Sequence, residues 1–97
     1  MKVYSADICI DCRNLKHLMK LRGLELEVID ITANTANLRE FLRLRDESPV
    51  FEGCRERGGI GIPCFTDGDW VSLDPDAALA RLGQPPVRED EILERRD

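Results

Sequence analysis

The pattern of the chain changes at a pair of cysteines. Lys2 to Ser5 reads as a short strand, and from Cys9 onward Cys12, Leu15, Leu18 and Met19 recur at helical spacing as far as Arg22, where Gly23 ends the helix. Cys9-Ile10-Asp11-Cys12 therefore lies on a joint, with a strand leading in and a helix leading out. Such a chain sets a thiol at the first turn of a helix, where unpaired backbone N–H groups and the positive end of the helix dipole favour the thiolate. The thiolate is the species that attacks disulfides.

The rest of the chain completes an alternation of strands and helices. Leu24, Leu26 and Val28 alternate with Glu25 and Glu27 before Ile29 and Ile31, which predicts a strand over about 25 to 31 with one face more buried than the other. Asn34 or Thr35 caps a second helix with Leu38, Phe41 and Leu42 as its inward stripe. Residues 46 to 59 are too many for a structureless loop. A short helix is expected there, with Ser48 as cap, Pro49 at its first position and Val50, Phe51 and Cys54 on one face up to Arg57.

Ile60 to Thr66 and Trp70 to Leu73 form a hairpin about Asp67-Gly68-Asp69. Asp74-Pro75 opens a last helix with Ala78, Leu79 and Leu82 inward and Gly83 as its end. Residues 1–83 thus make one domain, and 84–97 a charged tail that is either a short docked helix through Ile92 and Leu93 or unstructured.

Composition narrows the function. Ninety-seven residues allow one domain near the lower limit for a single core. A net charge of -5 argues against a nucleic-acid backbone as partner. Nothing approaches the roughly 18 apolar residues of a membrane span, so no membrane partner is expected and the reading is soluble and cytoplasmic. In a reducing compartment four cysteines are redox-active, metal-bound or buried before they are structural disulfides. Charge is uneven: Arg13, Lys16, His17, Lys20 and Arg22 make the first helix basic and the segment from Glu89 to Glu94 is acidic, which reads as two solvated faces.

Within the motif, Cys12 shares the buried stripe and Cys9 sits at the helix start, so Cys9 is the attacking thiol and Cys12 the resolving one. Asp11 disfavours the thiolates, while Arg13 and Lys16 push the other way. Cys54 and Cys64 read as core cysteines, Trp70 as packed on the sheet, and His17 as a solvated residue with no clear partner. Ile62-Pro63 is the second informative feature. A proline inside an apolar, strand-like run removes a ladder hydrogen bond. It is explained either by a cis bond that presents the backbone of Ile62 to an extended partner or by the start of an edge strand.

The order βα with Cys-x-x-Cys at the helix start, then βα, then Ile62-Pro63 opening a hairpin and a final helix, resembles the glutaredoxin branch of the thioredoxin-fold superfamily over about residues 1–83. The resemblance implies an α/β fold of thioredoxin-like βαβα-ββα type, a four-stranded mixed sheet flanked by helices, with an extra short helix before the third strand. It implies a thiol-disulfide oxidoreductase with Cys9 and Cys12 catalytic, a cis Pro63 facing Cys9, and a disulfide-containing protein or small molecule as substrate. No tightly bound cofactor is implied. Glutathione, as a co-substrate, or a thioredoxin-type reductase would supply electrons. Arg39 corresponds to a polar contact for the glycyl carboxylate of glutathione and Asp76 to the aspartate that meets its γ-glutamyl end, with Ile62 and Pro63 completing the substrate site.

The spacer Ile10-Asp11 differs from the family's usual Pro-Tyr type, and Val71-Ser72-Leu73-Asp74 stands where a Gly-Gly pair normally follows the last strand. Two other classes remain open. Four thiolates make a tetrahedral set for zinc or an iron–sulfur centre, although Cys54 and Cys64 are not a close-spaced pair. The fold could also serve as a non-catalytic interaction module.

Overall fold

A short strand, β1 (Lys2–Ser5), is the axis of the molecule. In the computed structural model, which describes residues 1–95, it pairs in parallel with β2 (Glu27–Asp30) on one side and antiparallel with β3 (Cys64–Asp67) on the other. β3 continues into β4 (Trp70–Ser72) by the hairpin, giving a mixed, open sheet in the order β2-β1-β3-β4. The helices that flank it are α1 (Ile10–Arg22), α2 (Thr35–Glu47), α3 (Glu52–Glu56) and α4 (Pro75–Arg81). α3 is entered through a single 3-10 turn, Pro49–Phe51, capped by the Ser48 hydroxyl.

Side-chain alternation along the central strands splits the core in two. Tyr4 and its partner Cys64 pack with Ala6, Ile31, Phe41 and Phe51 on one face; Val3 and Phe65 pack with Leu15 and Ala78 on the other. Phe41 stands between Tyr4 and Phe51 with ring centroids 5.9 Å from each, edge-on to Phe51. Cys54 and Cys64 are buried as expected, and Trp70 packs against the second cluster with the Arg81 guanidinium 4.8 Å over its ring.

Three expectations need correction. The strand predicted from Ile60 begins only at Cys64, because Gly61 has a φ of 96° and Pro63 has no N–H to give to the ladder. In α2 only Phe41 of the proposed stripe is buried, while Leu38 and Leu42 are 38% and 41% exposed. The inward stripe is instead Asn37, Phe41 and Leu44, which shares only Phe41 with the expected one. Val50, Leu82 and Val28 are also more exposed than their patterns imply, Val28 because β2 is an edge strand.

The basic helix and the acidic tail are not two solvated faces. Arg22 makes two hydrogen bonds to the carboxylate of Glu91, at 2.8 and 2.7 Å, and donates also to the carbonyls of Pro85 and Pro86. Arg13 grips Glu94 in the same two-pronged way, and Asn14 accepts from the backbone N–H groups of Leu93 and Glu94. The tail is therefore docked along α1 through a short 3-10 turn, Glu89–Glu91, and its contacts are mostly polar; Leu93 stays exposed. Its last two residues, 96 and 97, lie outside the described residues.

Arg22, followed by the backbone N–H of Arg88, holds the Glu91 carboxyl down to about 2. A folded value below the ordinary glutamate value of about 4.3 means that the contact is fully stabilising above that pH and is lost as pH falls toward 2. The amide NMR signals of Leu93 and Glu94 should accordingly move to unfolded-chain positions between about pH 4 and pH 2 while those of Val3 and Tyr4 hold. Glu91→Gln should undock the tail already at neutral pH; tail signals unmoved in both experiments would show that another contact holds it.

Candidate active site

Cys9 is the N-cap of α1, with extended backbone (φ -97°, ψ 126°) and no side-chain capping bond, so its sulfur is not used to satisfy the helix end. Its thiol is half-buried and reaches the Ile62 carbonyl at 3.8 Å. The Ile62-Pro63 peptide is cis, as one of the two sequence readings expects. Cys12, one turn into the helix, is 2% exposed and close enough to Cys9 to interact with it.

Burial pushes the Cys12 thiol up to about 11, with hydrogen bonding to the Ser5 side chain and Ala6 backbone acting the other way and Cys9 raising it further. Cys64, beyond Pro63 and inside the first core cluster, is pushed by burial to about 12. The two thiols of the motif thus differ in exposure as their positions on the helix dictate.

Around Cys9 runs a groove of about 910 Å³, with Ile8, Leu38, Ile60, Ile62 and Pro63 among its walls and Arg57 at its margin. Ile8 and Ile60 are 83% and 59% exposed, an apolar rim around the accessible thiol. The loop carrying Ile60 and Ile62 is held from below, since Arg45 donates to the carbonyls of Gly59 and Ile60 and the ring of Phe51 packs under Gly61.

Of the residues named from sequence, Cys9, Cys12, Ile62 and Pro63 come together. Arg39 is exposed and does not line the groove, although its neighbour Leu38 does. Asp76 accepts the backbone N–H of Val87 at 2.9 Å, so its carboxylate serves the docked tail. Arg13 and Lys16, set against Asp11 in the sequence reading, point their charges at Glu94 and Asp7.

Sequence reasoning missed Ser5 as the partner of Cys12. The signal was present: alternation along β1 puts Ser5 on the face of Val3, under α1. It also missed Ile8, Ile60 and Leu38 as groove residues, which periodicity cannot assign because two of them lie in loops. Among the described residues no group of three or more histidine, cysteine, aspartate or glutamate side chains is placed to hold a metal ion. No helix among them is long and apolar enough to cross a membrane.

A methyl group on Gly61 would lie 2.6 Å from a Phe51 ring carbon, at a φ of 96° that L side chains rarely adopt. Gly61→Ala should therefore cost about 1–3 kcal/mol, read as a lower urea midpoint, and draw Ile62 away from Cys9. An unchanged midpoint would show that the loop yields freely.

No protein-family model matches the chain, and no solved structure does. It is 30% identical over 71 residues to an uncharacterized protein of Haemophilus influenzae, in a match that covers 71% of this chain and 83% of that protein. Similarity of that degree and extent is shared descent: the chain belongs to the same family as that Haemophilus influenzae protein.

Proposed function

We propose that the protein is a small cytoplasmic thiol-disulfide oxidoreductase of the thioredoxin fold, glutaredoxin-like in architecture, which reduces disulfides through the Cys9–Cys12 dithiol. One observation carries the reading: a half-exposed Cys9 at a helix start lies 3.8 Å from the carbonyl that precedes a cis-proline, with a second, buried thiol directly behind it. The uncommitted cap position leaves the Cys9 sulfur available for attack. The neighbouring apolar rim suits a disulfide carried on a polypeptide.

The reaction follows from the arrangement. The Cys9 thiolate attacks one sulfur of a substrate disulfide; the S–S bond breaks, the second sulfur leaves as a thiolate and takes a proton from water, and a mixed disulfide remains on Cys9. Cys12 then loses its proton and attacks the Cys9 sulfur, expelling the substrate's other thiol and leaving a Cys9–Cys12 disulfide. Proximity favours this second step, since Cys12 lies one turn from Cys9 and close enough to interact with it. The substrate gains two electrons and two protons, the protein loses them, and an external thiol reductant restores the pair. Glutathione or a thioredoxin-type reductase can fill that role. The position of Arg39 outside the groove and the engagement of Asp76 by Val87 lend weight to the reductase.

Cys9→Ser should abolish disulfide reduction altogether, whereas Cys12→Ser should still attack and then stall as a mixed disulfide. Brief alkylation of the reduced protein followed by mass spectrometry should label Cys9 first. Burial raises the Cys12 thiol above its ordinary range and shuts it away from the reagent, so it presents little thiolate. Cys54 and Cys64 are shielded by burial. First labelling at Cys12, or trapped adducts on Cys12 in the Cys9→Ser protein, would reverse the assigned roles. Failure of the wild-type dithiol to reduce any disulfide would end the oxidoreductase reading.

A further inference from the structure

Behind the Ile62-Pro63 turn lies a second hollow, of about 310 Å³, between α1, the start of α4 and the docked tail. Leu15, Leu18, Pro63, Leu73, Val87 and Ile92 form its apolar walls. Protein interiors leave few voids larger than a water molecule, and a water here would find few polar partners. The volume is that of a small ligand site, at the lower end of the usual ~300–1,000 Å³. Asp11, Ile62, Pro63 and Leu73 line both this slot and the groove that holds Cys9, so the two spaces meet across the turn. The charged side chains at the walls of the slot, Asp11 and Glu91, are both acidic.

Resting on the oxidoreductase reading, we infer that this slot is a side-chain subsite for an apolar residue of the substrate, so that the protein acts on polypeptide disulfides carrying a leucine- or phenylalanine-like side chain two positions from the reacting half-cystine. In an extended segment, side chains two apart point the same way and lie about 7 Å along the chain. A half-cystine directed at Cys9 therefore turns its second neighbour toward the protein as well. Apolar walls welcome a hydrocarbon side chain, whereas an anionic one would lose its hydration there with no cation among the lining residues to receive it. The tail makes the slot: Val87 and Ile92 form its outer wall, and Arg22 with Glu91 holds that wall in place.

The chemistry is the exchange already described. In a single turnover the pre-reduced protein needs no added reductant, because the dithiol supplies both electrons. The probe is a set of short peptides joined through a central cysteine to a chromogenic aryl thiol, with the residues two before and two after the cysteine both leucine, phenylalanine, glycine or glutamate. Cys9 attacks the peptide sulfur, the aryl thiolate leaves and is read by absorbance, and Cys12 then frees the peptide.

The leucine and phenylalanine peptides should react at least about tenfold faster than the glycine peptide at limiting concentration, with the glutamate peptide slowest. Ile92→Ala, which enlarges the slot from its tail side, should move the preference from leucine toward phenylalanine. Val87→Trp should flatten it. A change of preference is a result that simple damage to the fold would not give.

Equal rates within about twofold across the wild-type panel would overturn the subsite while leaving the dithiol reading intact. A preference that neither tail variant alters would overturn the slot as its origin. Absence of any aryl thiol release from the reduced wild type would bring down the oxidoreductase reading, and the subsite with it.

Discussion

The pairing of Tyr4 with Cys64 across β1 and β3 is the constraint on which the site depends. The two strands are antiparallel, so the end of β1 lies beside the beginning of β3. The loop that leads from Ser5 to Cys9 and the loop that arrives through Ile62 and Pro63 must therefore leave the sheet at the same edge. Residues more than fifty positions apart meet there because of one ladder register. A slip of a single residue would exchange the faces of Cys64 and Phe65 and set two core clusters against each other. Burial on both faces makes that slip costly, and this is what fixes the 3.8 Å approach of Cys9 to the Ile62 carbonyl.

The loop would still be free to wander without the segment inserted before it. Phe51 packs against Phe41 from one side and under Gly61 from the other, which couples the short 3-10 turn to the first core cluster and to the residues next to Ile62. Arg45 adds two hydrogen bonds to carbonyls of the same stretch from the far end of α2. The loop is thus supported by a rigid aromatic stack and a forked cation, and its side chains are left to face outward into the groove. Ile60, exposed on the rim, is the visible consequence.

Features governed by local periodicity and punctuation were legible in the sequence. The joint at Cys9, the cap at Asn34, the entry through Ser48-Pro49, the hairpin and the Asp74-Pro75 helix start each rest on a few adjacent residues, and each is where the chain predicts it. The phase of α2 was not legible, because Leu38, Phe41, Leu42 and Leu44 offer two nearly equivalent stripes and only the neighbouring Tyr4 and Phe51 choose between them. The late start of the strand at Cys64 was missed because Ile60 and Ile62 have strand character, whereas Gly61 is set by the ring beneath it. Arg39 and Asp76 were placed by resemblance alone. Neither has a local signal that would have told where its side chain goes.

The tail shows how a uniform-looking charge pattern acquires specificity. Arg13, Lys16, Lys20 and Arg22 are alike as letters, yet among the described residues it is Arg13 and Arg22, two and a half turns apart on the helix, whose long side chains reach the carboxylates of the tail. Lys16 pairs instead with Asp7. Arginine suits the two tail positions because its planar fork meets a carboxylate with two hydrogen bonds at once, which lysine cannot do. At Arg22 the same fork also reaches the carbonyls of Pro85 and Pro86, so it positions the backbone as well as the charge. A polar clasp of this kind holds Val87 and Ile92 over an apolar hollow without filling it. A tail docked through hydrophobic side chains would instead have closed that space, and the wall beside Pro63 would be solid.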